Sequence, residues 1–378
     1  MRKVLVILPD SPYADWIIHK VQLLNGNQCD FVCFSVERNH IKSSVCKFLL
    51  SGSSEYLEFF NDTNKYDRVV IHYHNQETGY FVEKFKIASE KLVWILWSGD
   101  LYNSKFYTKS LYFKMNLAWI EANSDKIKSN SRFKERLKSK LGKVNSYDYK
   151  KSFQRIKYIG TGFLKDVEEA ENTFRKSYDI IPHTILSVNE LFEVKSFSTI
   201  QSKGEKLLLG HSGALENNHL DAIEFLQESG VTHDILCPLS YGNETYIQAV
   251  ISAGRDAFGE KFQPRTAFLP KFEYYNMLTE VGFAVFFLKV QQAFGNILGL
   301  LFLGVKIFLP KENSIYVNLS DKGFLLFSLE DLSNNSLGNI LNEQDRLVNR
   351  NLILKFFSED KIAESYERMY LGSMSKDK

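Results

Sequence analysis

A few short stretches of this chain carry residue types that could do chemistry. Gly210-His211-Ser212-Gly213 combines small residues, which let a backbone approach a phosphate, with a hydroxyl and an imidazole. Gln291-Gln292, followed by Gly295-Asn296, supplies amide donors and acceptors suited to sugar hydroxyls or a pyrophosphate. Glu312 could accept hydrogen bonds from a ribose, or could equally be a surface charge. In the first half, His72-Tyr73-His74 and Trp97-Ser98-Gly99-Asp100 each end an apolar run. Histidines at i and i+2 on a strand share a face, so zinc is conceivable, although no third ligand is evident. The chain has no D-x-D carboxylate pair, no G-x-G-x-x-G fingerprint, no P-loop and no G-x-S-x-G elbow. A diphosphate would therefore be neutralised by helix dipoles and side chains, with no metal or other cofactor.

These stretches need elements to hold them. Val281 to Leu288 is apolar throughout, as a parallel strand covered on both faces should be, and Ile297 to Gly304 reads as a crossover helix before a strand from Val305 to Leu309. This puts Gln291, Gln292, Gly295 and Asn296 at the carboxyl end of a buried strand and the mouth of a helix, where open α/β sheets bind ligands. Upstream, the pattern predicts strands at 206–209 and 233–238, a short strand near 266–269, and helices at 217–227, 243–257 and 272–280. The turn at 210–213 then sits at the same carboxyl edge. The first half alternates similarly, with strands at 4–8, 31–36, 68–72, 92–96, 156–160 and 180–188 and helices between them. The expectation is α/β: two Rossmann-like domains of GT-B type facing each other across a cleft, with a helical C-terminal tail. We place an N-terminal domain at 1–196 with a basic insertion at about 125–157, a linker near Phe197 to Gly204, a C-terminal domain at 205–341 and the tail at 342–378.

At 378 residues the chain is long enough for two cores. Its cysteines, Cys29, Cys33, Cys46 and Cys237, contain no C-x-x-C pair, which excludes a zinc ribbon and fits a reducing cytosol. A formal net charge of +2 gives no reason to invoke nucleic acid. Charge is uneven, however. From Asp125 to Tyr158 twelve Lys or Arg face three acids, and Phe133, Leu137 and Leu141 are spaced along one helix face. That segment is either a solvated helix or a contact for an anionic membrane surface. No apolar run reaches the eighteen or so residues needed to span a bilayer, so a soluble or peripheral protein is expected.

In order along the chain, several islands resemble the TDP-4-acetamido-4,6-dideoxygalactose (Fuc4NAc) transferases. They are Val70-Ile71-His72 before an Asn-containing turn, Trp94 to Tyr102 against the family's Trp-x-x-Trp-Gly-x-Asp-Leu-Tyr, and Gly210-His211-Ser212-Gly213 with Asn217 and His219. The resemblance continues through Pro238, Tyr241-Gly242, Asn243-Glu244, Tyr246-Ile247, Phe272, Tyr275, Gln291-Gln292, Gly295, Gly304 and Glu312-Asn313. The chain departs where the family's Gly-x-Gly-Thr is replaced by Ala293-Phe294-Gly295-Asn296 and where Ser98 replaces a glycine.

The resemblance implies a glycosyltransferase that moves a Fuc4NAc-like sugar from a TDP-sugar to a lipid-linked saccharide, at the inner face of the bacterial cytoplasmic membrane. It puts the acceptor on the first domain, at Trp97 and Tyr102, and the nucleotide sugar on the second, at Gly210 to Gly213, Asn217, Tyr241, Gln291, Gln292, Gly295, Asn296 and Glu312. Another nucleotide-sugar enzyme, epimerising or hydrolysing, is the alternative. Transfer needs a group that takes a proton from the attacking hydroxyl. Asp100 is the first choice and His72 the second, although Asp100 could instead cap a helix.

Overall fold

The computed structural model describes residues 2–127, 149–192, 202, 204–332 and 337–372. The described chain forms two compact units. One comprises residues 2–108, 149–185 and 360–372; the other comprises 109–127, 186–192, 202, 204–332 and 337–359.

The first unit is built on seven parallel strands: β1 (Val4–Ile7), β2 (Cys29–Cys33), β3 (Cys46–Phe48), β4 (Arg68–His72), β5 (Leu92–Ile95), β6 (Tyr158–Thr161) and β7 (Asp179–Pro182). Their order is β3-β2-β1-β4-β5-β6-β7. The central strands VLVI, RVVIH and LVWI are buried at every position, which is why they lack the alternation of a half-exposed sheet. The second unit repeats the plan with β8 (Lys206–Leu209), β9 (Ile235–Pro238), β10 (Phe262–Arg265), β11 (Val281–Val285), β12 (Lys306–Leu309) and β13 (Phe327–Ser328) in the order β10-β9-β8-β11-β12-β13. In both sheets the order reverses between the first and fourth strands of the unit, β1/β4 and β8/β11. Such a reversal opens a crevice outside the strands' carboxyl ends.

The strand expected near 266–269 lies earlier, at Phe262–Arg265, because Phe262 is the residue the core takes up while 266–269 stays largely exposed. Three domain boundaries also differ from expectation. Helix Lys114–Ala122, expected in the N-terminal domain, packs on the second unit: Asp221 accepts from the Met115 and Asn116 N–H groups at 2.7 and 2.8 Å and so caps the helix. The first unit's middle segment ends at 185, so helix Val188–Phe192 belongs to the second.

The tail does not stay together either. Helix Glu343–Phe356 stays with the second unit, whereas Glu359–Tyr370 returns to the first. Its buried residues Ile362, Ser365, Tyr366, Met369 and Tyr370 follow the i, i+3, i+4, i+7, i+8 pattern of an amphipathic helix. Burying Tyr366, Met369 and Tyr370 with the β1 and β4 side chains contributes roughly 1.5–3 kcal/mol per side chain. Arg68, itself buried, donates to the Arg368, Met369 and Gly372 carbonyls and so anchors the helix end. The linker expected near 197–204 falls almost wholly outside the described residues, as do residues 128–148 of the basic segment with Phe133, Leu137 and Leu141.

Candidate functional site

At the carboxyl edge of the second sheet, Gly210 leaves β8 at φ +66 and donates to the Val285 carbonyl of β11 at 3.0 Å. A Cβ on Gly210 would lie 2.6 Å from His219 Nε2 and 3.0 Å from Asn217 Oδ1, so both dihedral and space require glycine. Asn217 organises the turn. Its Oδ1 accepts from the His211 N–H at 3.1 Å, and its Nδ2 donates to Ser212 Oγ at 3.1 Å.

The turn is joined to the one after β9. Gly213 N–H donates to the Tyr241 carbonyl at 2.7 Å, and Asn243 N–H donates to the Gly213 carbonyl at 3.1 Å. Gly242, at φ +139, passes so close that a Cβ would lie 2.1 Å from the Gly213 carbonyl carbon. Tyr241 thus contributes its backbone to the turn while its side chain is 57% exposed.

Beyond β11 the loop reaches Ala293, a non-glycine residue at φ +58, which precedes helix Phe294–Leu303. Alanine has no side-chain acceptor and the first turn contains no acid, so neither the N-cap side chain nor a first-turn carboxylate offsets this end of the helix dipole. Gln291, Gln292, Gly295 and Asn296 are all partly exposed around it. Two buried asparagines hold the loop. Asn313 Nδ2 donates to the Leu288 and Val290 carbonyls at 2.7 and 2.9 Å while its Oδ1 caps helix Ser314–Asp321, and Asn218 Nδ2 donates to the Phe287 carbonyl at 2.9 Å. The sequence reading took up Asn313 only through the resemblance and missed Asn218. The N-cap pattern Asn-Ser before an apolar run was the available signal for Asn313. Glu312 is exposed.

Histidines lie under this edge. His219 is fully buried, and among the described residues neither of its ring nitrogens has a hydrogen-bond partner; the same holds for His211 Nδ1. Burial pushes His219 down to about 3, with His211 adding to the effect, and pushes His211 down to about 4, with Asn217 opposing. Both rings are neutral at physiological pH.

The carboxyl edge of the first sheet is arranged differently. Asp100, in the short helix Gly99–Tyr102, is 3% exposed. Its carboxylate accepts from Trp94 Nε1 at 2.5 Å, the His74 N–H at 3.1 Å and the Trp97 N–H at 3.0 Å. Burial raises it to about 7 against these three bonds. This corrects the expectation of a base facing an acceptor: Asp100 ties the ends of β4 and β5 together from inside.

His72 is corrected likewise. It is buried, its Nδ1 accepts from Trp97 Nε1 at 3.2 Å, and its Nε2 therefore carries the proton given to Tyr370 Oη at 2.6 Å. Burial, helped by His183, holds it well below the usual histidine range. His74 is committed to Thr78 Oγ1 and Ser152 Oγ at 2.9 and 2.7 Å, so neither ring of the pair is open to zinc, and no metal-ligating cluster occurs among the described residues. Tyr102, expected to meet the acceptor, is buried and donates to Asp166 at 2.7 Å; burial, and then Asp166, raises its hydroxyl's pKa. Trp97 remains partly exposed.

Among solved structures, the chain is similar to sucrose-phosphate synthase from Thermosynechococcus elongatus (TM-score 0.59, 8% identity, 98% of each chain covered). It is also similar to a glycosyltransferase from Rickettsia africae (0.59, 11%, 98% of this chain and 99% of that one) and to α,α-trehalose 6-phosphate synthase from Burkholderia multivorans (0.57, 8%, 97% of each). At such identities the likeness shows the fold, which is GT-B. No described helix is long and apolar enough to cross a membrane. The family profile described as "4-alpha-L-fucosyltransferase glycosyl transferase group 56" matches residues 171–371, more than half of the chain and all of the turns that shape the second unit's carboxyl edge. The chain is a glycosyltransferase and belongs to the group 56 4-alpha-L-fucosyltransferase family.

Proposed function

We propose that the second unit binds a TDP-linked deoxy-amino sugar of the Fuc4NAc type and that the enzyme transfers the sugar to a lipid-linked saccharide in bacterial surface polysaccharide synthesis. One observation carries the donor assignment. At the β8/β11 switch point, the close-packed turn Gly210 to Gly213, whose His211 is partly exposed, stands at the same carboxyl edge as a helix N-terminus that its own N-cap leaves uncompensated. His211 on the turn, with Gln291, Gln292 and Asn296 at the helix mouth, supplies the polar contacts; Ser212, expected among them, is fully buried and with Asn217 holds the turn in shape. Helix dipole and amide donors take the place of a divalent ion, so transfer is metal-independent in this reading.

The test is turnover of a TDP-sugar with and without a lipid-linked saccharide, in the presence and absence of chelator. Acceptor-dependent transfer that survives chelation supports the reading. Activity lost to chelator and restored by magnesium or manganese overturns the metal-free part, and donor breakdown without acceptor favours a hydrolase or epimerase. Gln292→Ala and Asn296→Ala should each weaken donor binding by roughly 1.5–3 kcal/mol, measured by calorimetry on folded protein. The basic segment at 125–157 would hold the enzyme on the anionic inner face of the cytoplasmic membrane. Equal sedimentation with neutral and anionic vesicles at low salt would remove that part.

A further inference from the structure

The switch point of the first sheet, between β1 and β4, carries an aromatic surface that the donor site does not use. Tyr13, between β1 and helix Ala14–Asn25, is 42% exposed, and Trp16 on that helix is 39% exposed. The Tyr13 ring centre lies 6.1 Å from that of Trp16 and 6.0 Å from that of Trp97, the latter pair inclined at 65°. Trp97 arrives from the end of a different strand, β5, and its indole N–H is fixed by His72.

Two residues at this edge hold left-handed backbone without being glycine: Tyr73 at φ +64, directly after β4, and Ser98 at φ +72, directly after Trp97. Such conformations are unfavourable for residues with a Cβ and persist where the surroundings over-determine them, as at ligand sites. Beside the rings runs a polar loop pinned by carboxylates. Asp10 accepts from the Asn39, His40 and Ile41 N–H groups, and Asp15 from those of Lys42 and Ser43.

Flat apolar rings next to immobilised polar groups, at the edge where open α/β sheets take ligands, suit a pyranose. Its C–H face packs on the aromatic faces and its hydroxyls meet the loop. The same loop carries the exposed Arg38, His40 and Lys42, so a lipid surface is the competing ligand, and vesicles are included in the test.

We propose that Tyr13, Trp16 and Trp97 form a stacking platform for a sugar ring of the acceptor, with Tyr13 and Trp16 setting its affinity. This rests on the reading that the acceptor is a saccharide, and it is tested by binding, without turnover. Soluble disaccharides (chitobiose, cellobiose, maltose) are titrated calorimetrically into the full chain and into Tyr13→Ala, Trp16→Ala and Trp16→Tyr, with melting temperature as the folding control. At least one disaccharide should bind; the alanine variants should bind it about tenfold more weakly, and Trp16→Tyr should stay within a few fold. The proposal is overturned if no disaccharide binds, if the alanine variants bind as the parent does, or if they lose only their association with phosphatidylglycerol vesicles. Failure of sugar transfer with intact disaccharide binding would count against the proposed donor or reaction and leave the platform standing.

Discussion

The two sheets share a strand order yet use their carboxyl edges in opposite ways. In the first unit the polar residues at the strand ends turn inward: Asp100, His72 and His74 are buried and fully engaged, and aromatic rings remain at the surface. In the second, small residues let the backbone of neighbouring turns pack closely, the Ala293 cap leaves a helix end uncompensated, and among the described residues His211 and His219 keep buried ring nitrogens without partners. The same topology thus offers apolar faces in one unit and unspent hydrogen-bonding and dipolar capacity in the other. Such a division suits a sugar ring and an anionic leaving group respectively.

Acid should break the comparison most strongly. His74, His183, His211 and His219 are held at about 3 to 4 and His72 well below its usual range, all by burial. Unfolded histidine takes up its proton near 6.5, so from there downward the unfolded chain binds more protons and stability falls, by up to about 1.4 kcal/mol per pH unit for each ring. Asp100 works the other way, since its raised value favours the protonated fold below about 7, but it is one group against five. Denaturant unfolding at pH 7, 6, 5 and 4 should show a steep loss below 6.5. A nucleoside diphosphate contacting His211 should retard the loss in the second unit alone, because the first unit's rings are tied to Ser152, Thr78, Tyr370 and Ser365.

Next in size is Gly242→Ala, which forces a Cβ into the Gly213 backbone at a positive φ. A loss of at least about 3 kcal/mol with donor binding abolished is expected by thermal unfolding and calorimetry. Asp100→Asn follows. It replaces one carboxylate oxygen by an N–H₂ that then faces one or two of the three N–H donors, and should cost roughly 1–3 kcal/mol, read as a lower melting temperature for the first unit. A large loss of turnover at unchanged stability would instead restore Asp100 as a base. The smallest effect belongs to Tyr370→Phe, which removes the His72 bond and should cost about 1 kcal/mol while leaving donor affinity alone.

The amino-acid sequence by itself determined the tandem α/β plan, because uninterrupted apolar runs such as Val281 to Val285 can be satisfied only in a doubly covered sheet. It also located the turn at 210–213 and the helix mouth at 291–296, since glycine spacing and a switch from strand to helix periodicity are local signals. Tertiary structure decided what those signals cannot carry. Whether a carboxylate at a strand end faces solvent or the interior depends on partners distant in the chain or folded back on it, and for Asp100 those partners are Trp94 and the His74 and Trp97 backbone. The crossing of helix Lys114–Ala122 to the second unit is settled by Asp221, more than a hundred residues downstream, and the return of helix Glu359–Tyr370 to the first by Arg68 and His72. Burial and partnership are properties of pairs of segments, and no single stretch of sequence contains them.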